Sequence, residues 1–368
     1  MRGSGGGDQE AHSDLEASGI RRRHRRVGEL RMSDQPTNLV DTYGRVHRDM
    51  RVSLTDRCSL RCNYCMPADF ADWIPGDHLL TTDELMLVLD VATEMGIDQV
   101  RLTGGEPLLR PDVVDVVSRI YALPHAPKIS LTSNGLRLPQ MAQDLADAGL
   151  ERVNISLDTL DPQRFKEMTH RDRFDDVIAG IEAAKEAGLL PVKVNSVLMR
   201  GVNDDEAVPL LKHALENDWR LRFIEQMPLD AGGLWARPKM VTADEIMETL
   251  STEFELTPVP GRGSAPAEEF YVDGGPATVG IIASVSRPFC AACDRLRLTA
   301  DGQFRNCLFA QDETDVRATL RDASLSEDEI KTGVAATLAK VTRAKLPGHG
   351  INDPSFIQPA RPMSAIGG

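Results

Sequence analysis

From about residue 48 the chain alternates between two rhythms. Short β-branched runs lie at Met50–Leu54, Gln99–Thr103, Lys128–Thr132, Arg152–Leu157, Val192–Leu198 and Arg220–Gln226, and between them apolar residues recur every three to four positions. The first rhythm predicts strands, the second amphipathic helices. In the stretch Thr82–Met95, Thr81 stands where a helix N-cap belongs and Gly96 where the helix should stop. Strand–helix units in succession predict a parallel sheet with right-handed crossovers, an α/β fold. Its expected form is a partial (incomplete) TIM-type βα barrel of about six repeats. A doubly wound open sheet is the alternative architecture.

The flanks read differently. Residues 1–42 are rich in Gly, Ser and charge, lack apolar periodicity and carry the run Arg21-Arg22-Arg23-His24-Arg25-Arg26, so a disordered extension is expected there. Met32 offers an internal start within it. The barrel is expected over 43–257, and a turn to Pro and Gly between Pro258 and Gly275 marks a linker or surface loop. Region 258–345 then holds a β-rich stretch, Arg295–Thr299, and a helix from about Ser326 to Ala344. Residues 346–368 show no periodicity and end in Gly367-Gly368, which on composition alone predicts a ragged tail. With 368 residues the chain can bury a large core. No apolar run approaches the ~18 residues that span a bilayer, so no membrane segment is expected. The net charge of −14 argues against nonspecific nucleic-acid binding, and the basic run reads as solvated tail.

In βα barrels chemistry gathers in the loops at the carboxyl ends of the strands. After the first predicted strand come Cys58, Cys62 and Cys65; after the second, Gly104-Gly105-Glu106-Pro107; after the third, Ser133-Asn134-Gly135. The fourth ends in Ser156-Leu157-Asp158 and the sixth in Glu225-Gln226-Met227-Pro228. All six cysteines fall into two triplets, Cys58-x3-Cys62-x2-Cys65 and Cys290-x2-Cys293-x13-Cys307. Such close spacing in a large chain favours metal binding over disulfides. Taken alone, the second triplet suits zinc as well as iron; the x3-x2 spacing of the first is unusual for zinc. Three thiolates on a four-iron cubane leave one iron open for a small molecule. An amino acid with free amine and carboxylate would chelate that iron and fit the Gly-Gly-Glu turn, where Glu106 can accept from an ammonium group. Tyr64 offers a flat face to a heterocycle, or packs as an ordinary loop aromatic. The eight histidines form no ligand spacing and read as ordinary.

Cys58-x3-Cys62-x-Tyr64-Cys65, with Gly104-Gly105-Glu106-Pro107 one strand later, resembles the signature of radical S-adenosylmethionine enzymes. The second triplet, Arg295-Leu296-Arg297 just after Cys293, and the terminal Gly367-Gly368 narrow the resemblance to the GTP 3′,8-cyclase family of molybdenum-cofactor biosynthesis, over about Tyr43 to Gly368. The resemblance implies two 4Fe-4S clusters, the second carried by the C-terminal extension, and a lyase activity. For S-adenosylmethionine it implies Tyr64, Gly105, Ser156 and Met227, with Glu106 in the same turn. For GTP it implies Arg51, Arg101, Thr132, Lys193, Arg295, Leu296 and Arg297. Gly367 and Gly368 are expected to enter the active site and act there with Arg295 and Arg297. The resemblance further implies an external reductant, a downstream cyclic pyranopterin monophosphate synthase, a homodimer and a cytoplasmic location.

Charge supports the GTP residues independently. Arg51, Arg101, Lys193, Arg295 and Arg297 supply cations to a polyphosphate, and Arg forks suit phosphate oxygens. Each of them alone reads equally well as a solvated charge on an outer face. Two rival readings are a radical S-adenosylmethionine enzyme acting on a peptide, and a zinc-stabilised binding or scaffold protein without catalysis.

Overall fold

The computed structural model describes residues 39–67, 69–230, 232–233 and 235–367. Most of the expected extension, and Gly368, lie outside the described residues. Strands β1 (Leu39–Val40) and β2 (Val46–His47) pair as a small antiparallel hairpin. Six parallel strands follow: β3 (Asp49–Ser53), β4 (Gln99–Thr103), β5 (Lys128–Ser133), β6 (Arg152–Ser156), β7 (Lys193–Leu198) and β8 (Arg220–Glu225). Then come β9 (Leu256–Pro258), β10 (Glu268–Val272), β11 (Thr278–Ile282), β12 (Arg295–Leu298), β13 (Gln303–Arg305) and β14 (Thr314–Asp315). All but the first two share one 12-stranded sheet, in the order β14-β13-β12-β3-β4-β5-β6-β7-β8-β11-β10-β9.

The six predicted strands are present, with ends shifted by a residue or two. The periodicity did not reveal how far the parallel sheet extends. β12 pairs with β3 in parallel, and β11 pairs with β8 in parallel, so the region after residue 258 continues the sheet at both flanks. The stretch Arg295–Thr299 was legible as β-rich and corresponds to β12, but the partners of β11 and β12 lie far away in sequence, so local pattern is silent about the pairing.

Side-chain alternation divides the sheet into two faces. Met50, Val52, Val100, Leu102, Ile129, Leu131, Val153, Ile155, Val194, Leu221 and Phe223 are fully buried and form the core with the crossover helices. Each such side chain contributes roughly 1.5–3 kcal/mol by leaving water. The helices follow their sequence signals. Thr82–Glu94 begins with a reciprocal capping box between Thr81 and Glu84 and buries Leu85, Val88, Leu89 and Ala92; Gly96, at φ +102°, ends the run. Glu327–Arg343 opens on the equivalent box between Ser326 and Glu329. Among the described residues no helix is long and apolar enough to cross a membrane.

The tail departs from its ragged expectation. Ile351, Phe356, Met363 and Ile366 join a second apolar cluster with Leu229, Met240, Val285 and Phe309. Arg361 makes a fork to Asp301 at 2.9 and 2.7 Å and reaches Glu313 at 3.0 Å. These partners are remote in sequence, so aperiodic chain is held by tertiary contacts alone.

Candidate active site

The other face of the sheet is polar, and it begins at the first triplet. Cys58, Cys62 and Cys65 lie on the loop that leaves β3. The turn after β4 clamps that loop: Gly105 N–H donates to the Thr55 carbonyl and Glu106 N–H to the Arg57 carbonyl, both at 2.7 Å. A Cβ at Gly105 would sit 2.3 Å from the Asp56 carbonyl oxygen and 2.4 Å from that of Arg57, so only glycine fits. The space freed by Gly105 is therefore taken by the cysteine loop's own backbone.

Glu106 is buried and already engaged, accepting from Leu108 N–H at 3.0 Å, Ser133 Oγ at 2.9 Å and Asn134 N–H at 2.7 Å. Burial nevertheless pushes its carboxyl up to about 7. Expected as an acceptor for ligand, it first of all braces the third strand's turn. Asn134 Nδ2 in turn approaches Cys58 Sγ at 3.8 Å and donates to Ser59 Oγ at 3.1 Å. Tyr64 does not lie loose on the rim: its hydroxyl donates to Asp158 Oδ2 at 2.8 Å, and Val197 N–H holds Oδ1 at 2.8 Å. From the tail, the Ser364 main chain acts on the Cys65 thiol and opposes the upward push of burial. Burial pushes Cys58 up to about 11, with the Glu106 charge adding, and Cys65 to about 12. Burial also lifts Cys62, aided by Asp158 and the two neighbouring thiols.

The second triplet opens on a cavity of about 170 Å³ at the polar face. Cys290, Cys293 and Cys307 line it together with Arg51, Arg101, Arg222, Arg295, Arg297 and Lys345. Three of these cations form one lateral row, because Arg297 of β12 lies beside Arg51 of β3, which lies beside Arg101 of β4. Like charges set opposite one another destabilise a sheet. The acids that offset them are few. Asp49 pairs with Arg51 at 3.2 Å, and the charges of Arg51, Arg101 and Arg295 hold its carboxyl low in spite of burial; Glu269 acts on Lys193 and Arg222. Burial, with neighbouring guanidiniums, pushes Arg297 down to about 9 and Arg222 to about 10, and lowers Arg101 well below its ordinary value. The Nε and Nη2 atoms of Arg222 and the Nε of Arg295 are buried without a hydrogen-bond partner in the protein.

The expected residues are not gathered equally. Arg51, Arg101, Thr132, Arg295, Arg297 and Met227 line this cavity. Lys193 stands close enough to feel Arg222, Arg152 and Arg101, which together with burial push its amine down to about 8. Leu296 differs: its side chain is fully buried in the apolar core, on the opposite face from Arg295 and Arg297, so only its main chain is available. Ser156 closes β6, two residues before Asp158. The Gly367 carbonyl accepts from Arg297 Nη1, and a Cβ at Gly367 would meet Thr103 at 2.9 Å and Ser53 at 3.1 Å, so the tail runs into the polar face. Gly368 lies outside the described residues.

Several lining residues escaped the reading of the sequence: Asn195, Arg222, Phe289, Lys345 and His349. Arg220-Leu221-Arg222 repeats the alternation of Arg295-Leu296-Arg297, which was the available signal. His349 had none. Its main-chain N–H reaches the Cys290 thiol and its Nε2 lies 3.1 Å from the Ser284 carbonyl oxygen, a placement made by the tail's course. Burial pushes Cys293 up, yet the charges of Arg295 and Lys345 outweigh it and hold the thiol below its ordinary value. Among the described residues, no three His, Cys, Asp or Glu side chains stand close enough to hold a single metal ion. The donor sets, three thiols each with main-chain N–H groups and cations around them, fit a multi-iron cluster.

Residues 52–214 match the model of the Radical SAM superfamily, and 219–349 that of Molybdenum Cofactor Synthesis C. A protein of Streptomyces coelicolor named GTP 3′,8-cyclase is 58% identical over 90% of this chain and 96% of its own length. One of Mycolicibacterium smegmatis with the same name is 54% identical over 90% and 92%, and GTP 3′,8-cyclase 2 of Mycobacterium tuberculosis is 50% identical over 95% and 97%. Among solved structures, Streptococcus suis SuiB bound to S-adenosylmethionine aligns with a TM-score of 0.52 at 13% identity, over 88% of this chain and 76% of that one. The same protein bound to its precursor peptide SuiA gives 0.55 at 14%, over 86% and 75%. At that identity the likeness carries the α/β fold with its mostly parallel sheet and nothing further. Sequence identity decides the rest: the chain belongs to the GTP 3′,8-cyclase family of radical S-adenosylmethionine enzymes.

Proposed function

We propose that this chain converts GTP to (8S)-3′,8-cyclo-7,8-dihydroguanosine 5′-triphosphate, the first step of molybdenum cofactor biosynthesis, in a partial barrel whose C-terminal extension carries a second cluster. One observation carries the residue-level reading: the row Arg297–Arg51–Arg101, with Arg222 and Arg295 beside it, lines a single cavity with the second triplet. Buried cations in such excess cost several kcal/mol each unless an anion meets them. A nucleoside triphosphate is such an anion. That strands from β12 round to β11 contribute to one cavity also supports a curled rather than a flat sheet.

Cys58, Cys62 and Cys65 would hold the first 4Fe-4S cluster with one iron left for S-adenosylmethionine, and Cys290, Cys293 and Cys307 the second. When bound, the first cluster and S-adenosylmethionine would supply the radical chemistry for activating the GTP ribose at its 3′ carbon. The protein's part is to hold and orient. Tyr64, fixed by Asp158, and Gly105, Glu106, Ser156 and Met227 shape the S-adenosylmethionine side. Arg51, Arg101, Thr132, Lys193, Arg222, Arg295 and Arg297, with the Leu296 main chain, take GTP. Arg295, Arg297 and the Gly367-Gly368 end would hold the nucleotide for ring closure; a side-chain-free tail suits a narrow passage. An external reductant, a downstream cyclic pyranopterin monophosphate synthase, a homodimer and a cytoplasmic setting complete the proposal, on family membership.

The test is anaerobic incubation of iron-reconstituted protein with dithionite, S-adenosylmethionine and GTP, followed by mass analysis of the nucleotide. The expected product is isobaric with GTP but chromatographically distinct, from protein holding about eight irons. Cleavage of S-adenosylmethionine without change in GTP would favour a peptide substrate instead.

A further inference from the structure

One buried cation at the second triplet's loop lies outside the row of guanidiniums. Lys345, at the end of the helix Glu327–Arg343, is buried. Its Nζ donates to the Arg295 carbonyl at 2.7 Å and to the Asn306 carbonyl at 2.5 Å, the residues two after Cys293 and one before Cys307. Among the described residues none of its hydrogen bonds goes to a carboxylate. Arg45 nearby is built otherwise: it braces the Cys290 carbonyl at 2.7 Å, but Asp41 pairs with it at 2.6 Å and neutralises it.

A buried ammonium bonded only to neutral oxygens carries a large desolvation cost, and burial lowers the Lys345 amine from its ordinary value. The charged neighbours that act on Lys345 are Arg45 and Arg295, which repel it, and Cys293 and Cys307, which as thiolates attract it. Lysine also lines the wall of the cavity beside these thiols. Three thiolates on a 4Fe-4S core make an anion, and the reduced state is more negative than the oxidised one.

We infer that Lys345 is a positioning residue and, beside Arg295 and Arg297, a counter-charge of the second cluster, holding the two arms of its loop together and raising its reduction potential. The inference rests on the second triplet carrying a cluster. A cation beside the cluster stabilises the state with the extra electron, so its removal drives the midpoint potential negative.

The experiment compares full-length wild type with Lys345→Arg, Lys345→Gln and Lys345→Met, each reconstituted anaerobically, by iron content and by potentiometric titration followed by electron paramagnetic resonance. Wild type should bind about eight irons; about four would remove the second cluster, and this inference with it. Given eight, Lys345→Gln should keep both clusters with the second midpoint shifted negative and the first unmoved. Lys345→Arg should retain the wild-type value. Lys345→Met should show the same negative shift or lose the second cluster alone. Gln or Met at the wild-type midpoint with all irons present overturns the proposal while leaving the second cluster intact. Loss of those irons in all three variants overturns it too, since charge would then not be what the loop requires.

Discussion

The two cysteine triplets sit on one sheet in opposite electrostatic settings. Around the first lie Glu106 and Asp158, both buried carboxyls, and the three thiols are driven above their ordinary range. Around the second lie Arg295, Arg297 and Lys345, and Cys293 is held below its ordinary value although burial raises Cys290. Their construction differs as well. The first is a contiguous loop pinned by the turn after β4; the second is spread over 18 positions and closed by Lys345, just past the helix Glu327–Arg343. The contrast is one of balance, since Arg61 also stands at the first loop and donates to the Cys58 carbonyl; under the proposed function the more cationic side would take the polyanion and the more acidic side a sulfonium.

The tail bridges both settings, since the Ser364 main chain acts on the Cys65 thiol and the Gly367 carbonyl accepts from Arg297. Removing Gly367 and Gly368 should therefore have the largest effect, abolishing cyclisation while both sets of irons stay bound; deletion of residues 1–35 should leave turnover intact. Normal product formation by the shortened enzyme would sink the tail's role. Next comes a change confined to the first triplet. Gly105→Ala forces a methyl against two carbonyl oxygens and should cost about 1–3 kcal/mol of stability. It should also deplete the first cluster while sparing the second, as read by denaturation of the apoprotein and iron counting. Equal loss at both sites would mean the triplets are not structurally independent.

On the cationic side, Arg295→Ala should weaken GTP binding roughly 10- to 100-fold, the worth of charge-assisted hydrogen bonds, and S-adenosylmethionine binding far less. Calorimetric titration with each ligand checks this, and the reverse order would show the nucleotide misplaced. The smallest effect concerns pH. Lys193, with its amine pushed down to about 8 by burial and by Arg222, must be protonated to meet a phosphate. GTP affinity should hold steady below that pH and fall above it, by up to about tenfold per unit. Lys193→Arg should flatten the profile; an unchanged profile would take Lys193 out of the phosphate site.

Much of this was legible in the chain. The period-two runs and capping signals announce six strands and their helices, and both triplets declare themselves by spacing. Arg51, Arg101, Arg295 and Arg297 could be placed on strands, but not on a face relative to one another, because register depends on a partner strand. Leu296 was expected among the GTP residues, and since alternation turns its side chain into the core only its main chain is available there. Gly105 was legible as a required glycine, while what fills its space was not.

The sequence by itself determined the local elements, the thiol donors and the presence of enough cations for an anionic substrate, since each depends on neighbours within a turn or a strand. Only the tertiary structure decided that β12 extends the sheet beside β3, that three guanidiniums form one row, that Lys345 reaches the second triplet's loop, and that His349 and Gly367 arrive from an aperiodic tail. Those placements rest on contacts between residues tens to hundreds of positions apart, and no local rhythm encodes them.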